Sequence, residues 1–322
     1  MIRGAALERN GYFGKLATHS DFVKLAPDTE LMGVLDNWLA EVMSRLPDNP
    51  RWKLHYDALA PLHFAFVGPR RHHAIAGHIV ASRDQAGRRF PFLMMRTVEV
   101  RDPGPFLTRC PLVFEPLFAF FAAMAPKAQG DAEPDAALGE IADTVFALDA
   151  QCPPVLAGFL ATGTVGSLAA LLGRADVREL VLALGLLLQP VMHSGRADLE
   201  KSLVLPLPAL AGARAAVAAF WLELIAPFLR QADLDLVLFI TEIEQQPVLV
   251  VGFCDACVAS LHAIIDPLAG RVRQVRFADT GWVNAQLGSD IDVRALASYL
   301  DQPQLPLSVA RELFLDTFIG AK

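Results

Sequence analysis

At 322 residues the chain exceeds what one hydrophobic core usually covers, and its composition is apolar: 53% hydrophobic against 20% charged residues, with a mean hydropathy of +0.37. Some of that apolar surface is expected to cover a partner. The 28 basic and 35 acidic residues give a formal net charge of -7 with no Lys/Arg run longer than a pair, which excludes the electrostatic footprint of a nucleic-acid binder. Four scattered cysteines, Cys110, Cys152, Cys254 and Cys257, exclude a disulfide-stapled secreted framework and are expected to be reduced.

In chain order, Met1 to Asn10 contain Arg3, Glu8 and Arg9 and no extended apolar region, so no secretory signal is expected. Gly11-Tyr12-Phe13-Gly14-Lys15 falls short of a phosphate loop, which needs four residues between its glycines and a Ser or Thr after the lysine, where Leu16 stands here. The reading is a turn or strand entry in which glycine supplies backbone freedom. Asp28 is a good N-cap, and Leu31, Leu35, Trp38, Leu39, Val42, Met43 and Leu46 then recur at helical spacing until Pro47, predicting an amphipathic core helix.

Residues 62–67, 74–81 and 92–100 read as strands separated by Gly68-Pro69 and Gln85-Ala86-Gly87, which suggests an antiparallel meander. A helix over about 112–124 follows. The small, polar stretch 126–134 has the composition of a linker, so the boundary is placed there: 1–130 as an N-terminal α/β domain, 131–322 as a helix-rich α/β C-terminal domain. In the second, residues 136–148, 167–172, 177–188 and 213–230 read as helices with wide apolar faces, ahead of strands at 236–241 and 248–253. The longest uninterrupted apolar run is 181–188, and Glu115 or Glu223 breaks the other candidates before about 18 residues, so no membrane-spanning helix is expected. Both halves set a possible strand, then a tryptophan-bearing helix (Trp38, Trp221), before two strands, but no fixed-period similarity supports a duplication.

Several fragments of catalytic motifs lose on context. Asp233-Leu234-Asp235 fits an aspartate-nucleophile string, yet it precedes its apolar segment instead of following a buried strand, so a solvated turn explains it better. His72 and His78 on one strand face would lie about 20 Å apart, too far to grip one ion, and His73 points to the other face. Cys254-x-x-Cys257 has no second pair to complete a zinc site. Neither a metal site nor a cofactor is expected.

One constellation remains: Gly11-Tyr12-Phe13-Gly14-Lys15-Leu16, then His19-Ser20-Asp21-Phe22-Val23, the Trp38-Leu39 helix, Trp52, Tyr56, Ala60-Pro61 and Phe64, closing with Ser82-x-Asp84-x-x-Gly87-Arg88-Arg89-Phe90-Pro91. In order and spacing it resembles the N-terminal domain of the TagF (ImpM) family of type VI secretion-associated proteins, over roughly residues 10 to 100. Ala17, Ser20 and Ala81 depart from the family pattern, where a proline, a glycine and a proline are usual. The resemblance implies an α/β sandwich on a mostly antiparallel sheet without known catalytic activity. It also implies a post-translational repressor of the secretion apparatus in the cytoplasm of a Gram-negative bacterium, acting on the forkhead-associated scaffold protein.

The motif residues Gly11, Gly14, Lys15, Asp21, Ser82, Asp84, Gly87, Arg88 and Arg89 are the candidates for a site or partner surface. Asp84 opens a turn that Gly87 permits, which sets Arg88 and Arg89 at the mouth of the next strand. There they either clasp Asp21 or Asp84, joining two loops, or meet a partner directly. Lys15 and Asp21 read as solvated or capping groups, and Trp38, Trp52, Phe64 and Phe66 as core. Two other functions stay open: a hydrolase or metal enzyme using His19, Asp21 and Asp84, and a structural accessory whose apolar C-terminal half docks onto the membrane-bound secretion complex.

Overall fold

The computed structural model describes residues 9–130, 134–148, 154–194, 200–229, 234–253, 257–277, 280–286 and 290–320, the side chains of 191–194 excepted. The first elements are β1 (Asn10–Gly14), β2 (Val23–Leu25), α1 (Thr29–Arg45), a 3-10 turn at Leu46–Asp48, α2 (Trp52–Asp57), β3 (Leu62–Val67), β4 (His73–Val80), β5 (Phe92–Glu99) and α3 (Pro103–Gln129). Helices α4 (Pro134–Asp143), α5 (Val155–Thr162), α6 (Val165–Leu172) and α7 (Val177–Ser194) lead to β6 (Ser202–Pro206), α8 (Ala211–Leu229), β7 (Leu236–Ile243) and β8 (Gln246–Phe253). The chain closes with α9 (Cys257–Ile265), α10 (Pro267–Arg273), β9 (Gln274–Arg276), α11 (Val283–Gln286), α12 (Ile291–Leu300) and α13 (Leu307–Ile319).

All nine strands join one sheet in the order β2-β1-β5-β4-β3-β7-β8-β6-β9, antiparallel except for the β6–β9 pair. The expected α/β class with a mostly antiparallel sheet is what the chain forms. Residue alternation explains the layers, because successive strand side chains point to opposite faces. Phe64 of β3, Leu93 and Met95 of β5, Val237 and Phe239 of β7 and Val250 of β8 pack on one face with Leu35, Trp38 and Leu39 of α1 and Leu261 of α9. Ala65, Met94, Leu238 and Val251 turn to the other face, against Phe114 and Phe121 of α3 and Trp221 and Phe228 of α8. The two tryptophan helices thus cover opposite faces, which fits chance resemblance better than duplication. Asp28 caps α1, its carboxylate accepting from the amides of Glu30 and Leu31.

Three readings change. Where composition suggests a linker, α3 continues to Gln129 through Pro111, Pro116 and Pro126; burial of Phe114, Leu117, Phe118, Phe121 and Met124 outweighs the backbone bonds that proline removes. The sheet also runs unbroken past position 130, because β3 pairs with β4 on one side and β7 on the other. The helix expected over 136–148 stops at Asp143: Asn10 Nδ2 donates to the carbonyls of Ile141 (2.8 Å) and Thr144 (2.9 Å), and Arg96 donates to that of Phe146 (3.3 Å). Finally, α3 and α8 do reach the length and apolarity of a membrane span, at 27 and 19 residues. Both lie in the layer packed on the sheet, and Glu223 of α8 is held there by Arg311 (2.6 Å).

Candidate functional site

The family-like motifs meet where β1 ends. Gly14 has φ +139°, and a β-carbon there would stand 2.7 Å from the Cα of Phe92 on the paired strand, so only glycine fits. Gly11 is similarly crowded, by the Leu25 carbonyl at 2.9 Å. The chain then carries Lys15 and Leu16 into the interior and loops through residues 17–22 before β2.

The second motif forms a tight turn beside that loop. The Gly87 amide donates to the Asp84 carbonyl (2.9 Å), the Asp84 amide to the Arg88 carbonyl (3.1 Å), and Gly87 takes φ +78°. Asp84 is buried and sits at the centre: its Oδ2 accepts from Lys15 Nζ (2.9 Å) and Arg88 Nε (2.7 Å), its Oδ1 from the Arg88 amide (2.8 Å). Burial opposes its ionisation, but these donors prevail and hold the carboxyl well below the usual carboxylate range. Arg88 Nη2 also reaches the Ser20 carbonyl (3.0 Å), the Gln85 amide the His19 carbonyl (2.9 Å), and Ser82 Oγ the Lys15 carbonyl. Lys15 Nζ lies 5.0 Å from the centroid of Phe22, whose ring stacks on Phe13 (5.2 Å) and meets Phe90 edge-on (5.0 Å).

Of the pairings left open by sequence, Arg88–Asp84 forms. Arg89 instead grips Asp57 of α2 with both arms (2.8 and 2.7 Å). Asp21 stays exposed and, among the described residues, accepts only from the Phe22 amide (2.8 Å). The reading of Lys15 as a solvated group is corrected: Asp84, 69 positions along the chain, draws it inside. His19, Asp21 and Asp84, offered as a hydrolytic set, are each engaged separately, His19 by Asp135 at 3.5 Å.

Sequence reasoning assigned no role here to Tyr56. Its hydroxyl donates to the Ser82 carbonyl (2.9 Å) and accepts from the Ser82 amide (3.0 Å), hooking α2 to the second motif. Tyr56→Phe leaves the Ser82 amide without its acceptor and is expected to lower stability by about 1–3 kcal/mol in urea unfolding. An unchanged midpoint would show that the hook carries no load.

The other sequence candidates lie elsewhere. Asp235 pairs with Arg71 (2.7 Å), while Asp233, Cys152 and Cys254 lie outside the described residues. His72 Nδ1 meets the Val100 carbonyl (3.0 Å), His73 is exposed, and His78 is buried against His63 (Nδ1 to Nδ1, 3.0 Å). Among the described residues no three His, Cys, Asp or Glu side chains gather as a metal site would require.

Residues 11–144 match the family model of the TagF N-terminal domain, described as type VI secretion system-associated. That span includes both motifs and continues through α3 and α4, past the residues that carry the resemblance in sequence. No curated protein matches the chain. Among solved structures, the crystal structure of PA0076 from Pseudomonas aeruginosa PAO1 is similar at 24% identity and a TM-score of 0.33, over 45% of this chain and 64% of that one.

Proposed function

We propose, with a TagF-type N-terminal domain over residues 11–144 as the premise, that the protein is a non-enzymatic cytoplasmic accessory that restrains a type VI secretion system after translation. It acts by contact with the forkhead-associated scaffold protein. The domain match carries this reading. The architecture of the motif region supports it: Lys15, Ser82, Asp84 and Arg88 are spent on holding two loops together, which suits a preformed protein-binding surface. A carboxylate as strongly stabilised in its ionised form as Asp84 is a poor proton acceptor, which counts against the hydrolytic alternative.

Two measurements test the proposal. Co-expression with the scaffold is expected to give a complex that survives purification. Deletion of the gene is expected to raise secretion of effector proteins. Abolished secretion would instead identify an assembly component of the membrane complex, and failure to co-purify would remove the scaffold as partner.

A further inference from the structure

We propose that the face carrying Lys53, Arg83 and Arg89 docks an acidic segment of the protein partner, an inference that rests on the interaction role argued above. The geometry begins with an isolated antiparallel bridge between Arg83 and Arg89, closed by bonds from the Asp84 amide to the Arg88 carbonyl and from the Phe90 amide to the Ser82 carbonyl, both 3.1 Å. Residues directly opposite in such a pair send their side chains to the same side, so two arginines stand next to each other, an arrangement that is unfavourable unless anions separate them. Asp84 and Arg88, one position inward, leave by the opposite side and form the buried clasp.

Among the described residues, one carboxylate answers the pair. Asp57 gives both oxygens to Arg89, and the charge of Arg83 adds to the forces that lower its pKa after the Arg89 hydrogen bond itself. Arg83 is exposed, and among the described residues its guanidinium makes no hydrogen bond or ion pair. Lys53 stands one helical turn before Asp57 on α2, therefore on the same side of that helix, exposed and, among the described residues, without an ion pair, its Nζ 5.9 Å from the Trp52 ring centroid. Beside it Leu54 is 69% exposed.

Arg83 and Arg89 thus share one carboxylate, already bound on both oxygens, with Lys53 one helical turn away, in a chain whose net charge is -7. The missing charge is negative and has to come from outside. The open guanidinium fork of Arg83 selects a planar carboxylate, and exposed Leu54 offers an apolar anchor alongside, so the fitting occupant is a run of Asp or Glu next to a hydrophobic residue.

The test is a double charge reversal, Lys53→Glu with Arg83→Glu, both at exposed positions, checked for an unchanged thermal midpoint. A control, Lys201→Glu with Arg271→Glu, alters net charge equally at exposed positions on the C-terminal half. Binding to the purified scaffold protein is measured across a salt series, with a fluorescent decaglutamate peptide at low ionic strength as a second probe. The expected result is at least a tenfold loss of affinity for both probes, with a flatter salt dependence, in the double variant and not in the control. Equal scaffold affinity of wild type and double variant overturns the docking face and leaves the repressor reading intact. If the scaffold does not bind the wild type, the scaffold falls as partner and the peptide decides: selective loss in the double variant upholds the face, and equal binding or none overturns it.

Discussion

Acidification from pH 7 to pH 5 is expected to cost the folded protein roughly 4 kcal/mol, through two histidines that the fold holds neutral. His63 on β3 and His78 on β4 are directly paired in the sheet register and lie on its α3 face, where His63 stacks on Phe118 at 4.5 Å. Their Nδ1 atoms are 3.0 Å apart, so one neutral ring donates and the other accepts. Burial, aided by Arg214, pushes His63 down to about 4, and burial, aided by His63 itself, pushes His78 down to about 3.

The unfolded chain takes up both protons near pH 6.5 and the native state does not. The stabilisation is therefore complete above pH 6.5 and is lost progressively as the pH falls toward 4 and then 3. Urea unfolding at pH 7, 6 and 5 reads the slope directly. Replacing the pair, with His63→Phe and His78→Gln together, is expected to flatten that slope by about 2.7 kcal/mol per pH unit below 6. A slope unchanged by the replacement would place the acid sensitivity elsewhere.

Cutting the chain after residue 144, at the end of the matched domain, is expected to abolish folding. Strand β3 is central: all but one of its six residues pair with β7, from His63 with Ile240 to Val67 with Leu236. The truncated protein would present Phe64, Ala65 and Phe66 along an open edge and strip Phe239, 6.3 Å from Trp38, out of the core beneath α1. Both losses together exceed a stability of about 5–15 kcal/mol, and an unprotected hydrophobic edge templates aggregation. Inclusion bodies, or a soluble product without a cooperative transition, are the expected outcome. A monomeric 11–144 fragment with a sharp thermal transition would show that the matched segment is self-sufficient.

The amino-acid sequence by itself determined the local elements and the nature of the motifs. The periodic apolar residues from Leu31 to Met43 form α1 as read, with Leu46 in the 3-10 turn that follows, and the branched and aromatic runs form β3, β4, β5, β7 and β8. These signals are written in neighbouring residues, where helix caps, side-chain period and turn glycines act. Strand β9 has no such signal, being a three-residue piece whose partner β6 lies far along the chain.

Tertiary structure alone decided three things. It fused the two expected halves into one sheet, since nothing in residues 62–67 announces that their free edge will meet β7. It carried α3 through three prolines, because burial against the sheet outweighs local propensity. It also distributed the partners of the charged motif residues: Lys15 and Arg88 to Asp84, Arg89 to Asp57, and, among the described residues, no ion pair to Arg83. Charge pairing depends on which side of the backbone a residue leaves and on what the fold brings opposite, and neither is set by spacing along the chain.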